Sequence, residues 1–342
     1  MIRTKTVFVL GAGASAEVGM PLGVDLTDQI AAALNFRPGH EHESKDLARA
    51  GLEAASMRPD APLRRDALYG RALQVSGGLA TSPSIDVYID NHAADPACAL
   101  IGKIGIAACL IEAERSSTLR CQSNDQVDIG ALKGTWFARL FNILAGGVKA
   151  ETIQEMFANV AFVNFNYDRC LEQYLRYAIA SRFHIGVEEA GRIVDQHCPI
   201  VHPYGSLGPL TGDSDSVCFG TRLSPHTLGG ADAVRTMASK LLTFTESRAA
   251  RAEEAKELIA QAERAIFLGF AFHVQNVELL AAKETNIVDY RTTALGASYS
   301  NRYEILRHIQ RILAFSPFGP EHPLHDATCS RLIIDEEHFL SR

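Results

Sequence analysis

The sequence predicts an α/β fold in which a Rossmann-like parallel sheet carries helices on both faces and a helical subdomain is inserted. Short apolar segments alternate with segments of helical periodicity, and this alternation favours a parallel sheet covered on both sides. The first apolar segment also runs directly into a glycine-rich turn, as nucleotide-binding strand–turn–helix units do. The candidate strands are residues 6–10, 161–165, 200–201, 265–268, 291–295 and 331–334.

The chain changes character after its first strand. A polar segment at 35–44, which contains Pro38 and Gly39, is typical of a loop. We predict a single domain over 1–342, with a Rossmann-like core formed by 1–23 and 159–342 and a helical insertion at 24–158. Within the insertion, helical patterns without a convincing strand occupy residues 24–34, 46–57, 64–75, 101–114 and 135–144.

The composition is that of an ordinary globular protein. The 342 residues are 47% hydrophobic and 21% charged, with a net charge of −7, and this balance favours neither nucleic acid nor a membrane as a partner. We expect no signal peptide and no membrane span, so a cytoplasmic location is predicted. The seven cysteines are scattered without a C-x-x-C pair, which predicts reduced thiols and no zinc site.

The glycine-rich turn predicts a nucleotide phosphate site. Gly11 permits a tight turn, Gly13 lets the backbone approach a pyrophosphate, and Ala14 can open a helix whose first amides face the anion. A dehydrogenase would place a second strand with an acidic tip about 20 residues further on. Residues 24–34 have a helical pattern instead, so hydride transfer is disfavoured.

Polar side chains follow two further strands. Asn166 and Asp168 come after the second strand, at the edge where open α/β sheets bind ligands, although Asn166 can equally close a turn and Asp168 can cap the next helix. His202 follows the third strand, either as an acid–base group or as a turn histidine that bonds only backbone. Glycines also follow two later strands, at Gly269 and Gly296.

These motifs resemble the sirtuin-like (SIR2) superfamily, and in particular the bacterial SIR2 NADases of anti-phage defence that include the subunit of SIR2–HerA systems. The sirtuin first motif is similar to residues 11–15 with Gly19 and Pro21, and residues 165–168 are similar to the family's Asn-x-Asp segment. His202, within His-Pro-Tyr-Gly-Ser-Leu-Gly, resembles the active-site histidine. Segments typical of the defence branch are residues 84–88, 101–106 and 166–172.

The sequence departs from the classical protein deacylases of the superfamily. Those enzymes carry a zinc ribbon of paired cysteines and a Phe-Arg pair after the proline of the first motif, where this chain has Leu22 and Gly23 and no C-x-x-C. The family's usual Gly-Thr-Ser turn is Gly269-Phe270-Ala271 here. The missing zinc ribbon and Phe-Arg pair argue against acyl-lysine chemistry, whereas the changed turn concerns the adenosine side of the site.

The resemblance implies hydrolysis of NAD⁺ to nicotinamide and ADP-ribose, with NAD⁺ as the substrate and no zinc. It implies that Asn166 orients the ribose and the attacking water, that Asp168 binds the nicotinamide carboxamide, and that His202 is the general base. The turn at residues 11–15 would hold the pyrophosphate. The expected NAD⁺-binding residues are Gly11, Ala12, Gly13, Ala14, Ser15, Gly19, Pro21, Tyr167, Gly205, Ser206, Gly269, Phe270 and Gly296.

Two other functions stay open on the sequence alone. A catalytically idle fold of this type would sense NAD⁺ or ADP-ribose or would scaffold a partner, and a deacylase would release nicotinamide only with an acyl-lysine peptide. Because uncontrolled NAD⁺ hydrolysis starves its own cell, we expect a gate. The candidates for it are the helical insertion, homo-oligomerisation and assembly with a HerA-like ATPase.

Overall fold

The computed structural model describes residues 1–122, 125–210, 217–247, 251–314 and 323–341. In these residues six strands form one parallel sheet, in the order β3-β2-β1-β4-β5-β6. This order is that of a doubly wound dinucleotide-binding sheet, so the predicted α/β fold is confirmed. The strands are β1 (Thr6–Leu10), β2 (Val160–Asn164), β3 (Ile200–Val201), β4 (Arg264–Leu268), β5 (Asp289–Thr293) and β6 (Leu324–His325).

Helices fill the connections between these strands. From β1 to β2 they are α1 (Ala12–Ala16), α2 (Gly23–Ala33), α3 (Lys45–Ser56), α4 (Arg65–Leu79), α5 (Ile85–Asn91), α6 (Pro96–Ser116), α7 (Trp136–Leu144) and a 3-10 helix (Ala150–Phe157). The later ones are α8 (Cys170–Phe183), α9 (Val187–His197), α10 (Leu228–Ser239), α11 (Phe244–Ser247), α12 (Arg251–Gln261), α13 (Val274–Leu280), α14 (Tyr299–Leu313), α15 (Cys329–Asp335) and α16 (Glu337–Leu340).

The sixth predicted strand, at 331–334, is wrong. Residues Cys329–Asp335 form α15, because Thr328 caps this helix by accepting a hydrogen bond from the Arg331 amide at 3.3 Å. The side chains of Leu332 and Ile333 in this helix are buried. The last strand is instead the two-residue β6, which is too short to give a period-2 signal.

The described residues between β1 and β2 form helices joined by turns and loops, and none of them forms a strand. Helix α6 has the length and apolar composition of a membrane span, which the sequence analysis did not anticipate, yet 67% of its most apolar window is buried inside the protein. It packs against α2, α3 and α4 and is therefore the central helix of this segment. Helix α10, from the second half of the chain, packs against α3 and α6 and joins the same helical layer.

The sheet order brings three strand ends together. Strand β1 lies between β2 and β4, and Leu10 is level with Asn164 on one side and Leu268 on the other. The segments that follow these strands therefore meet at one edge. Strand β3 pairs with the outer side of β2 and adds the segment that begins at His202.

Candidate active site

The glycine turn after β1 packs directly against the turn after β4. The Gly11 amide donates to Leu268 O at 3.0 Å, and the Gly13 amide donates to Gly269 O at 3.2 Å. A Cβ on Gly11 would lie 2.5 Å from Gly269 O, and one on Gly13 would lie 2.8 Å from Gly269 Cα. The glycines thus let two backbones touch. With these two amides already bonded, the predicted pyrophosphate contact depends on Ala12, whose amide has no intrahelical acceptor.

Asn166, Ser15 and Asp168 form a buried hydrogen-bonded cluster where β1 and β2 end. Asn166 Nδ2 donates to Gly11 O at 3.0 Å and to Ser15 Oγ at 3.1 Å, and Ser15 Oγ donates to Asp168 Oδ1 at 3.0 Å. Because a backbone carbonyl only accepts, the amide NH₂ of Asn166 must face Gly11. Its Oδ1 makes no hydrogen bond within the described residues, so Asn166 is an oriented acceptor at the sheet edge.

Asp168 also caps α8, as the sequence allowed. Its Oδ1 accepts the Cys170 amide at 3.0 Å in addition to the Ser15 hydroxyl. Burial raises the pKa of this carboxyl, whereas the hydrogen bonds from Cys170 and Ser15 act in the opposite direction. Asp168 is therefore a carboxyl group with a fixed orientation and little solvent around it.

His202 faces an acceptor at each ring nitrogen. Nδ1 lies 2.9 Å from Asn166 O, and Nε2 lies 2.7 Å from Glu172 Oε1. Both contacts are satisfied only when both nitrogens carry protons, that is, by the imidazolium. Burial lowers the pKa of His202, but the ion pair and hydrogen bond with Glu172 outweigh it, and the pKa is raised above 6.5. The predicted general-base role therefore requires the bond to Glu172 to open.

Glu172 is a site residue to which the sequence analysis gave no role. Burial raises the pKa of its carboxyl, but His202 lowers it more, and the pKa lies below 4.5. The available signal is its place in the first turn of α8, where an acidic side chain is favoured by the helix dipole. The contact with His202 depends on the pairing of β2 with β3, which this signal does not reveal.

The segment between β1 and β2 contacts this edge at two points. The Tyr167 hydroxyl donates to Asp86 Oδ1 in α5, and burial raises the pKa of both groups. The Trp136 indole in α7 donates to Ala14 O at 2.6 Å, and its amide donates to Glu17 Oε2 at 2.9 Å. The predicted insertion thus holds both the glycine turn and the segment that carries Asn166.

Aromatic rings pack beside the Asn166 cluster. The Phe270 ring lies 5.1 Å from that of Phe165 and 4.9 Å from that of Phe272, and Phe165 lies edge-on to Tyr204 at 5.6 Å. All four side chains are buried. Phe272 has a φ of 54°, a left-handed conformation that is uncommon for a bulky residue and marks local strain. The Asn166 cluster is thus bordered by an apolar aromatic group on one side.

Two predicted binding residues after β1 lie towards the helical layer. Gly19 has a φ of 90°, and a Cβ there would lie 3.8 Å from Cα of Ser117 at the end of α6. Ser117 Oγ donates to Val18 O at 2.6 Å, which fastens this turn to α6. Within the described residues, neither Gly19 nor Pro21 forms a hydrogen bond to the Asn166 cluster. Their roles in NAD⁺ binding stay predictions.

The predicted glycines after β3 and β5 have local structural contacts. Gly205 has a φ of 72°, and a Cβ there would lie 2.2 Å from Lys240 O. Gly296 has a φ of 67° and donates its amide to Asp326 Oδ1 at 2.8 Å. Ser206 lines a cavity that also contains Glu172. The structure brings Gly11, Ser15, Asn166, Asp168 and His202 into one hydrogen-bonded chain. Gly205, Ser206 and Gly296 lie outside this chain.

No protein-family model matches the chain, and no curated protein is significantly similar to it. The resemblance to sirtuin-like proteins therefore stays a prediction. All seven cysteines are free thiols, and most are buried. In the described ranges, no three acidic, histidine or cysteine side chains cluster as a metal site would require.

Proposed function

We propose that this protein hydrolyses NAD⁺ to nicotinamide and ADP-ribose. The observation that carries the proposal is the oriented Asn166 amide, fixed between Gly11 O and Ser15 Oγ with Oδ1 left to accept. In the reaction, the bond between the ribose C1′ and the nicotinamide nitrogen breaks, and its electron pair neutralises the pyridinium. Water then bonds to C1′ and loses one proton.

Asn166 and Asp168 supply the two kinds of group that this cleavage needs. Asn166 Oδ1 accepts a hydrogen bond from the attacking water or from a ribose hydroxyl, which fixes their relative positions. The ribose develops oxocarbenium character as the bond breaks, and the Asp168 carboxyl binds the nicotinamide carboxamide and so holds the leaving group in place. Ser15 and the Cys170 amide keep the carboxylate in place.

His202 takes the water proton once it has separated from Glu172. Because the ion pair keeps the imidazolium charged, the base form becomes abundant only above the usual histidine pKa. We therefore expect NAD⁺ hydrolysis to rise with pH through a pKa above 6.5. In Glu172→Gln, the ascending limb of the pH–rate profile should move to lower pH, because the carboxylate that raises the pKa of His202 has been removed.

We further propose that the hydrolase depletes NAD⁺ in bacterial anti-phage defence, as a cytoplasmic homo-oligomer gated by assembly with a HerA-like ATPase. The contacts of Tyr167 with Asp86 and of Trp136 with Ala14 support the helical segment as part of the gate. A displacement of α5 or α7 would move residues adjacent to Asn166 and Ser15. Direct binding of nucleic acid or of a membrane is not part of the proposal.

A second candidate is a binding module that senses NAD⁺ or ADP-ribose without cleaving it. The state of His202 favours this candidate, because both ring nitrogens are engaged and neither can accept a proton. A site that kept this arrangement with ligand bound would have no general base. The two candidates differ in product formation, not in ligand binding.

The deciding experiment is incubation of the purified full chain with NAD⁺, followed by quantification of free nicotinamide and ADP-ribose. The hydrolase predicts that both products appear in equal amounts and without any acyl-lysine peptide. NAD⁺ binding detected by calorimetry, with no nicotinamide at any pH between about 6 and 9, would overturn the hydrolase in favour of the sensor.

A further inference from the structure

Helix α1, which follows the glycine turn, is too short to fix its own orientation. It has only five residues, Ala12–Ala16, whereas isolated helices shorter than about 12–15 residues are at best marginally stable in water. The orientation of α1 therefore depends on its contacts with other elements. On one side Ser15 contacts the Asn166 cluster, and Glu17, which lies two residues later at the end of α1, contacts different elements.

Glu17 joins α1 to two helices that are distant in the sequence. Its Oε2 accepts the Trp136 amide at 2.9 Å, and its Oε1 accepts the Ser330 amide at 2.8 Å. Trp136 is the first residue of α7, and Ser330 is the second residue of α15. The first amides of a helix have no intrahelical acceptor, so the carboxylate satisfies donors that the helices leave unpaired. Each of its two oxygens thus serves one helix.

Helices α7 and α15 also contact the backbone of the glycine turn. The Trp136 indole donates to Ala14 O at 2.6 Å, and Cys329 Sγ lies 3.8 Å from Gly13 O. Both side chains are buried, and α15 packs against α7. The turn is therefore held by the Asn166 cluster and, through separate contacts, by α7 and α15.

We propose that Glu17 is a positioning residue for the phosphate-binding turn. By fixing α1 against α7 and α15, it keeps the Ala12 amide in the orientation that a pyrophosphate requires. The same hydrogen bonds carry a displacement of α7 to the turn, so Glu17 couples the helical segment to the ligand. The proposal rests on the proposed NAD⁺ site and adds the residue through which that site is regulated.

Glu17→Gln tests the anchor with little change in shape. Glutamine has one acceptor oxygen, so it can bond only one of the two amides, and its own NH₂ group meets the other donor. At least one of the Trp136 and Ser330 amides should therefore exchange with deuterium about tenfold or more faster than in wild type. Mass spectrometry of the peptides that contain these residues measures the exchange, at a temperature where the variant is folded. Glu257→Gln, at an exposed position on α12, should exchange as the wild type does.

Ligand affinity distinguishes a positioning role from a merely structural one. In calorimetric titration of the full chain, ADP-ribose should bind Glu17→Gln about fivefold or more weakly than wild type, because the Ala12 amide is no longer held in place. The KM for NAD⁺ should rise by a similar factor while kcat stays within about twofold, since the pyrophosphate is held equally in the ground state and the transition state. Trp136→Phe, which keeps an aromatic ring but loses the donor to Ala14 O, should also weaken ADP-ribose binding.

The outcomes separate the role of Glu17 from the proposed hydrolase. Faster exchange in Glu17→Gln with wild-type affinity for ADP-ribose would overturn the positioning role, and wild-type exchange at both amides would overturn the anchor itself. A wild-type protein that bound ADP-ribose but released no nicotinamide would overturn the hydrolase alone, and the ADP-ribose affinities would still decide the role of Glu17. A wild-type protein that did not bind ADP-ribose would overturn both.

Discussion

The turns after β1 and β4, here called the glycine pair, lie beside the turns after β2 and β3, here called the polar pair. The two pairs differ in the contacts that hold each pair together. The first pair makes backbone contacts through Gly11, Gly13 and Gly269, with no side chain between them. The second pair is joined by side chains, through the hydrogen bonds of His202 to Asn166 O and to Glu172. The glycine-rich turn, which is the clearest motif in the sequence, thus forms a backbone contact with the turn after β4. The polar side chains suited to catalysis follow β2 and β3, beside that contact.

This contrast teaches that a glycine-rich turn has two separable functions. A glycine that lets a ligand approach leaves its amide available, whereas Gly11 and Gly13 donate their amides to the β4 segment. The side chains of Ser15, Asn166 and Asp168 beside them are buried, and each takes part in two hydrogen bonds. Substitutions in the glycine pair should therefore affect stability first, and substitutions in the polar pair should affect chemistry first.

The largest expected effect on stability is at Gly269. A Cβ there would lie 2.2 Å from Ala14 N, and the φ of 58° is left-handed. Gly269→Ala should lower the free energy of unfolding by at least about 4 kcal/mol, or abolish cooperative unfolding. Gly296→Ala is the matched control, since its φ of 67° is similar but no atom lies within 4 Å of its Cβ.

The control should lose only about 1–2 kcal/mol, which is the cost of the left-handed backbone. Urea unfolding of both variants measures the difference. Equal losses of unfolding free energy in Gly269→Ala and Gly296→Ala would contradict a stabilising role for the close packing of the turns after β1 and β4.

The next effect is pH-dependent and concerns the His202–Glu172 pair. The pKa of His202 is raised, so its stabilising contribution is complete below 6.5 and is lost as the pH rises through the folded pKa. The pKa of Glu172 is lowered, so its contribution is complete above 4.5 and is lost as the pH falls through the folded pKa. The pair therefore stabilises the fold fully between these two values.

Glu172→Gln should lower the free energy of unfolding by about 2 kcal/mol at about pH 5.5 and by much less at about pH 9. Urea unfolding at the two pH values gives the difference. Glu257→Gln, at an exposed position on α12, serves as the control and should change little at either pH. A loss in Glu172→Gln that did not vary with pH would contradict the ion pair.

The smallest of these effects is at Ser15. Ser15→Ala removes the donor to Asp168 and the acceptor for Asn166, so buried polar groups lose partners. The expected loss is about 1 kcal/mol in the free energy of unfolding, because Asn166 keeps its bond to Gly11 O and Asp168 keeps the Cys170 amide. Ser239→Ala, an exposed serine in α10, should stay within about 0.5 kcal/mol of wild type. Equal free energies of unfolding for Ser15→Ala and Ser239→Ala in urea would contradict a stabilising role for the Ser15 hydroxyl in the Asn166 cluster.

Strands β1, β2 and β4 were predictable because they are largely apolar runs followed by glycine or polar residues. The prediction failed at 331–334, where Ile333 and Ile334 have β propensity but Thr328 caps a helix. Local preference was there overridden by a cap and by burial along one helical face.

The site was predictable only as far as its residues follow strands. Asn166, Asp168 and His202 were found because parallel strands end at one edge. Glu172 was not, because it lies within α8 and its contact with His202 depends on the pairing of β2 with β3. The protonated state of His202 follows from those contacts and has no sequence signature.

The most direct test of the central claim is the rate of nicotinamide release from NAD⁺ by Asn166→Ala, compared with wild type and with Asn142→Ala. Asn142 is exposed on α7 and makes a matched control. If the polar pair of turns carries the chemistry, Asn166→Ala should release nicotinamide about 10²-fold or more slowly, while Asn142→Ala matches wild type. A rate for folded Asn166→Ala within a few-fold of wild type would contradict the account.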